Sequence, residues 1–257
     1  MDLFDGILLG FIQGIAEWLP VSSEAMVTLA GKFFSGLEYR EAMSTAIWLH
    51  SGTLLAALAY FRKDITNLVK DSFSPGPGRQ LLIFLAVATA ASAVVAFPLL
   101  ALAVSVEMPE AFATILIGVF LVFIAFFQKN RKQGTKTVLT PLNAGLAGLV
   151  QGLAVLPGIS RSGITIPVLI AEEYPLKQAF RLSFLMSIPV SFGAQVALPV
   201  VEEGFAVDGP MIAGSIVAAL VGFATIGVLM RFAEQVNFFK ATLVLGLGVI
   251  ACGALLL

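Results

Sequence analysis

Arg161 sits where a charge is costly. It lies in the segment Gly148 to Thr165, GLVQGLAVLPGISRSGIT, inside a very apolar chain. A guanidinium does not shed its proton. At the centre of a membrane helix it costs about 2.5–3.5 kcal/mol even on lenient insertion scales. Pro157 interrupts any helix arriving from the N-terminal side. Gly158 and Gly163 flank the triplet Ser160-Arg161-Ser162, and Thr165 adds a further hydroxyl. A proline-broken, glycine-flanked turn with hydroxyls and a fixed cation is suited to hold phosphate or another oxyanion. The competing reading is a polar helix junction in which a structural carboxylate neutralises Arg161.

A second polar stretch runs Gln13-Gly-Ile-Ala-Glu17-Trp-Leu-Pro-Val-Ser22-Ser23-Glu24. Gln13 and Glu17 are four apart and share a helix face. A carboxylate in an apolar helix needs a partner, and Arg161 is the candidate. Such a pair would fix the guanidinium while leaving N–H donors for a phosphate, or it would be a structural ion pair and nothing more. Ser22 or Ser23 could be a nucleophile, or could cap the following helix. Glu24 could act as a general base or bind a divalent cation together with Glu17. It could equally be a helix-start residue favoured by the dipole.

These residues need an apolar scaffold. The chain has 257 residues, 58% of them hydrophobic and 12% charged, with mean hydropathy +0.97. Globular domains carry about 25% charge, so an all-α integral membrane protein is expected, as a single membrane domain over residues 1–257. The near-zero net charge gives no sign of a nucleic-acid partner. Cys252 is the only cysteine and His50 the only histidine. Disulfides and a zinc or iron centre built on imidazoles are thereby excluded. No charged segment precedes a short apolar stretch with a cleavage site, so no cleaved leader is expected.

Six runs are long enough to span a bilayer, at about 20 residues each: Ala42–Phe61, Gln80–Ala103, Ala111–Gln128, Gln178–Val201, Met211–Arg231 and Phe239–Leu257. Phe4–Phe34 and Leu142–Ala171 differ from these. The first is broken at Leu19-Pro20 and the second at Leu156-Pro157. Backbone breaks at membrane depth only where protein or water satisfies it. Each stretch therefore reads as a re-entrant helical hairpin around a polar turn.

The hairpins match each other. Gly10-Phe-Ile-Gln-Gly-Ile-Ala16 corresponds to Gly148-Leu-Val-Gln-Gly-Leu-Ala154, and a Leu-Pro pair and serines follow in both. The expected architecture is an inverted-topology repeat, residues 4–128 and 142–257, of about six transmembrane helices plus two hairpins. The charges agree with it. Segments 62–79, 129–142, 171–177 and 231–240 and their borders hold twelve of the fifteen Lys and Arg residues. The opposite face has Lys32 and Arg40, and carries Glu107, Glu110, Glu202, Glu203 and Asp208. The positive-inside rule places the first face in the cytoplasm and both termini outside.

The first turn resembles the E-x-x-x-E-[FW]-L-P-[VI]-S-S-[ST]-G-H signature of the undecaprenyl pyrophosphate phosphatase (bacitracin-resistance) family. Pro157-Gly-Ile-Ser-Arg-Ser-Gly-Ile-Thr165 resembles its P-G-x-S-R-S-G-x-T signature in full. The similarity continues through Leu54–Asp64 and Arg181–Pro189 and covers most of the chain. It implies hydrolysis of a polyprenyl diphosphate to the monophosphate in the cell membrane. Arg161 would then hold phosphate, with Gly158, Ser160, Ser162 and Thr165 around it, and Glu17 and one serine would carry the chemistry. Three departures stand out. Gln13 occupies the place of the first glutamate, Glu24-Ala25-Met26 replaces the expected Ser/Thr-Gly-His, and His50 stands where the family often has glutamine. Met26 cannot shuttle a proton. His50 could replace the missing histidine, donate to a backbone carbonyl, or lie at the lipid interface.

Two functions are open at this level. One is a phosphatase in which Gln13, Ser22, Ser160, Ser162, Gly158, Thr165 and His50 bind substrate and Glu17, Ser23, Glu24 and Arg161 are catalytic. A divalent cation, Mg²⁺ or Ca²⁺, would sit on Glu17 and Glu24 and offset the phosphate charge. The other is a flippase that binds a polyprenyl phosphate without cleaving it. Membrane lipid is a partner in both, and a homodimer is one assembly open to it.

Overall fold

A computed structural model describes residues 1–257 except 20, 74–75, 106–109, 129–133, 157–158, 203, 233–237 and 255–257. Pro20, Pro157 and Gly158 of the two turns lie outside the described residues, as do Glu107, Lys129, Arg131, Lys132 and Glu203. The described residues are helical with no strand. The helices are α1 (Leu3–Ala16), α2 (Ser23–Ser35), α3 (Tyr39–Tyr60), α4 (Arg62–Lys70), α5 (Pro77–Ser105), α6 (Glu110–Gln128), α7 (Pro141–Gly152), α8 (Arg161–Ala171), α9 (Leu176–Val201), α10 (Gly209–Phe232) and α11 (Phe238–Ala254). A single 3-10 turn, Leu153–Val155, follows α7.

Among the described residues, four helices are long and apolar enough to cross a membrane: Tyr39–Tyr60, Leu176–Val201 and the stretches Pro77–Leu100 and Gly209–Arg231. Helices α6 and α11 stand at the other two expected spans, with 19 and 17 residues. The long helices turn large apolar side chains outward. Phe97, Val200 and Leu220 are 71%, 78% and 69% exposed. An apolar surface of this extent suits lipid rather than water. The chain is an α-helical membrane protein.

Both expected hairpins are pairs of short helices. At a rise of about 1.5 Å per residue, none of α1, α2, α7 or α8 covers the roughly 30 Å hydrocarbon core. The breaks come earlier than Leu19-Pro20 and Leu156-Pro157, since α1 ends at Ala16 and α7 at Gly152. The segment expected as a loop at 62–79 instead begins with α4. Its apolar Ile65, Leu68 and Val69 alternate with Lys63, Asp64, Asn67 and Lys70 at helical spacing. That pattern is too short and too charged to read as a span, and it forms a polar-apolar helix with no buried residue.

The chain divides into two compact units, 1–65 with 184–231 and 66–183 with 232–257, so each takes segments from both halves of the sequence. In the first unit, α1, α2 and α3 close around Leu9, Val27, Ala30, Leu37, Ala42, Ala46 and Leu49. Helix α1 meets α10 backbone to backbone: a Cβ on Gly6 would strike the Pro210 carbonyl, and one on Gly10 the Gly214 carbonyl. Trp18 follows Glu17, the residue that closes α1. It is fully enclosed, donates from Nε1 to the Gly222 carbonyl at 2.9 Å, and meets the Phe184 ring edge-on at 5.1 Å. Trp18→Ala removes that ring and is expected to cost about 3–5 kcal/mol, read as a lower thermal midpoint of the detergent-solubilised protein. An unchanged midpoint would show that Trp18 does not brace the turn.

In the second unit, α5 packs against α7 and α6 against α11. Gly148 and Gly152 let α7 lie on α5, where added Cβ atoms would meet Ala88 and Val95. These glycines stand 138 positions after Gly10 and Gly14 and play the same packing role. Their shared glutamines also behave alike. Gln13 donates to Thr53 Oγ1 at 3.4 Å, and Gln151 donates to Ser92 Oγ at 3.0 Å.

Candidate active site

The first unit builds a carboxylate-serine pair. Glu17 closes the last turn of α1, its N–H bonded to the Gln13 carbonyl at 3.0 Å. Ser22 takes extended backbone and caps α2, its Oγ accepting from the Ala25 N–H at 3.3 Å. Ser23 is the first residue of α2, and its hydroxyl donates to Glu17 Oε2 at 2.8 Å. This separation is that of a nucleophile and its base. Gln13 Nε2 donates to the same oxygen at 3.1 Å. His50 Nε2 lies 3.2 Å from it, and His50 Nδ1 lies 2.8 Å from the Ala46 carbonyl. Glu17, Ser22, Ser23 and Gln13 are buried, whereas Met26 is 38% exposed. Glu24, in the first turn of α2, stands within electrostatic reach of both Glu17 and His50. The α2 N-terminus beside them presents N–H groups and partial positive charge, which suit an anion.

The second unit builds a cationic turn. Ser160 caps α8, accepting from the Gly163 N–H at 3.1 Å, and its Oγ lies 3.4 Å from Ser162 Oγ. Arg161 is the first residue of α8 and donates from Nη1 to the Ser183 carbonyl at 3.1 Å. Thr165 is fully buried; its hydroxyl donates to the Arg161 carbonyl at 2.8 Å and lies 2.7 Å from Ser183 Oγ. Thr165 thus braces the turn from behind. Gly158 lies outside the described residues. Glu17 and Arg161 belong to different units, and the partners named here for each belong to its own unit.

Sequence reasoning did not single out Ser183 or Thr53. Ser183 orients Arg161 through its backbone carbonyl, which no side-chain pattern reveals. Thr53 receives Gln13, and its hydroxyl donates back to the His50 carbonyl at 3.2 Å. Among the described residues no group of three or more His, Cys, Asp or Glu side chains is placed to hold a metal ion.

A family model described as bacitracin resistance protein BacA matches residues 6–250. The chain belongs to that family. Among its BacA-like relatives, an undecaprenyl-diphosphatase of Methanococcoides burtonii is 38% identical over 98% of this chain and 97% of its own. An undecaprenyl-diphosphatase of Haloarcula marismortui is 37% identical over 95% of each chain. One of Sulfurisphaera tokodaii is 30% identical over 96% and 95%. The BacA match spans both polar turns.

Proposed function

We propose that this chain is a membrane phosphatase that hydrolyses a polyprenyl diphosphate of the undecaprenyl type to the monophosphate and inorganic phosphate. The observation that carries the reading is the Ser23 hydroxyl donating to Glu17 Oε2 at the N-terminus of α2. A hydroxyl, a buried carboxylate and a helix N-terminus are the components of attack on a phosphorus centre. The names of the relatives support the substrate.

Glu17 accepts the proton of the attacking hydroxyl, that of Ser23 or of a water bonded to it. The new P–O bond forms at the terminal phosphorus, and the bridging P–O bond breaks. The lipid monophosphate leaves with the bridging oxygen. Attack by water frees inorganic phosphate at once; attack by Ser23 leaves a phosphoserine, whose Oγ–P bond a water deprotonated by Glu17 then breaks, releasing inorganic phosphate and restoring the hydroxyl. Arg161, with Ser160, Ser162 and Gly158, grips the phosphate charge as it develops. The two hairpins are re-entrant halves of an inverted repeat, the Lys- and Arg-rich loops face the cytoplasm, and both termini lie outside.

Glu17 and Glu24 offer hard oxygen donors of the kind Mg²⁺ and Ca²⁺ take, a cation that would complete its shell with phosphate oxygens and water. When bound it would neutralise substrate charge. Chelation with EDTA is therefore expected to suppress turnover, and added Mg²⁺ or Ca²⁺ to restore it. Turnover indifferent to EDTA would remove the metal from the scheme. The direct test of the function is phosphate release by purified protein in detergent given a polyprenyl diphosphate. Head-group binding without release would instead make it a lipid carrier.

A further inference from the structure

His50 lies on α3, outside both polar turns, yet it reaches the carboxylate on which the proposed chemistry turns. Its Nδ1 faces the Ala46 carbonyl at 2.8 Å. A carbonyl only accepts, so Nδ1 carries hydrogen and the ring orientation is set. Nε2 faces Glu17 Oε2 at 3.2 Å and donates to it as the second N–H of an imidazolium, so the contact is an ion pair. Donors from three elements converge on that one oxygen: Gln13 from α1, Ser23 from α2 and His50 from α3. Gln13 sits one turn before Glu17 on the same helix and moves with it. Ser23 is the group to be activated. His50 ties the carboxylate to α3, a helix that carries neither the base nor the hydroxyl.

That helix is itself fixed beside the turn. Ser51 Oγ lies 3.0 Å from Ser215 Oγ of α10, and a Cβ on Gly52 would strike the Ser215 carbonyl. Trp18, next to Glu17, is bonded to Gly222 of the same α10. The chain neighbours of the carboxylate residue and of the imidazole residue are therefore both held on one helix. A base and nucleophile preorganised this way need no rearrangement before reaction.

We propose that His50 is a positioning residue for the hydrolase: it holds the Glu17 carboxylate with Oε2 aimed at Ser23. This rests on the phosphatase reading and adds to it a residue that acts through Glu17 and not on the lipid. It also gives Glu17 an imidazole partner from α3 in a chain whose position 26 is Met.

The test is steady-state phosphate release from a polyprenyl diphosphate by wild type, His50→Ala and His50→Gln, with the thermal midpoint of each. Partners that orient a metal-ligating side chain are worth about 10–100-fold in affinity or activity, and a partner that orients a carboxylate base is expected to act on the same scale. His50→Ala is expected to lose that much in kcat with KM changed by less than about threefold. His50→Gln keeps an N–H donor and is expected to recover to within about fivefold of wild type, since donation is the task. Three results overturn the role: a His50→Ala kcat within threefold of wild type, a His50→Gln variant that folds but is no better than alanine, or a loss confined to KM, which would make His50 a lipid-binding residue. A wild type that releases no phosphate overturns the phosphatase reading itself and is told apart by that control.

Discussion

Arg161→Ala is expected to lower phosphate release more than tenfold, a loss above about 1.4 kcal/mol of transition-state stabilisation. The guanidinium is the cation at the start of α8, and its Nη1 is committed to the Ser183 carbonyl. That bond sets the plane of the fork before substrate arrives. Alanine removes the charge and leaves the Ser183 carbonyl without this donor. Arg161→Lys keeps the charge but not the planar fork, so it should fall between wild type and alanine. Ser183→Ala separates anchor from grip. The anchor is a backbone carbonyl, so this variant loses only the bond to Thr165 and should stay within about threefold of wild type. Rates at saturating and limiting substrate, with a thermal midpoint for each variant, decide the matter. An alanine variant retaining more than a tenth of wild-type activity would remove Arg161 from the phosphate grip.

Much of this arrangement is legible in the sequence, and for identifiable reasons. Helix breaks announce themselves where proline, glycine and serine interrupt apolar runs, so both short-helix pairs were expected at the places where α1–α2 and α7–α8 stand. Their exact ends are not, because α1 stops at Ala16 and α7 at Gly152, where the chain tightens into the 3-10 turn Leu153–Val155 ahead of the proline. Glu17 and Ser23 are readable as candidates because a carboxylate and hydroxyls flank the break, but their contact with each other is not, since the sequence points Glu17 toward Arg161. His50 meeting Glu17 is not readable, since it depends on how α3 packs against α1. Nor is the Ser183 carbonyl, a backbone group that carries no side-chain signal. Helix α4 is not legible, because its nine residues are too short for a period to stand out against a charged loop.

Glu17→Gln should be the most damaging conservative change in the chain. General-base catalysis contributes about 10²–10⁴-fold, and the amide offers no basic oxygen. A loss of at least about a hundredfold in kcat is therefore expected, with KM little changed. The substitution keeps the shape of the side chain, so the effect should appear in turnover more than in the thermal midpoint. Glu17→Ala should also lower stability. It strips one acceptor from Gln13, Ser23 and His50 together, and each buried donor left unsatisfied costs about 1–3 kcal/mol. Glu17→Asp tests geometry: the carboxylate is retained but drawn back by one methylene from an oxygen-oxygen separation of 2.8 Å. If proton acceptance from the hydroxyl is what matters, aspartate should resemble glutamine in rate while resembling wild type in stability. An aspartate variant at full speed would mean that charge near the phosphate, rather than contact with Ser23, is what Glu17 supplies. A glutamine variant keeping a tenth of the activity would show that the proton goes elsewhere, and Glu24 would be the next group to substitute.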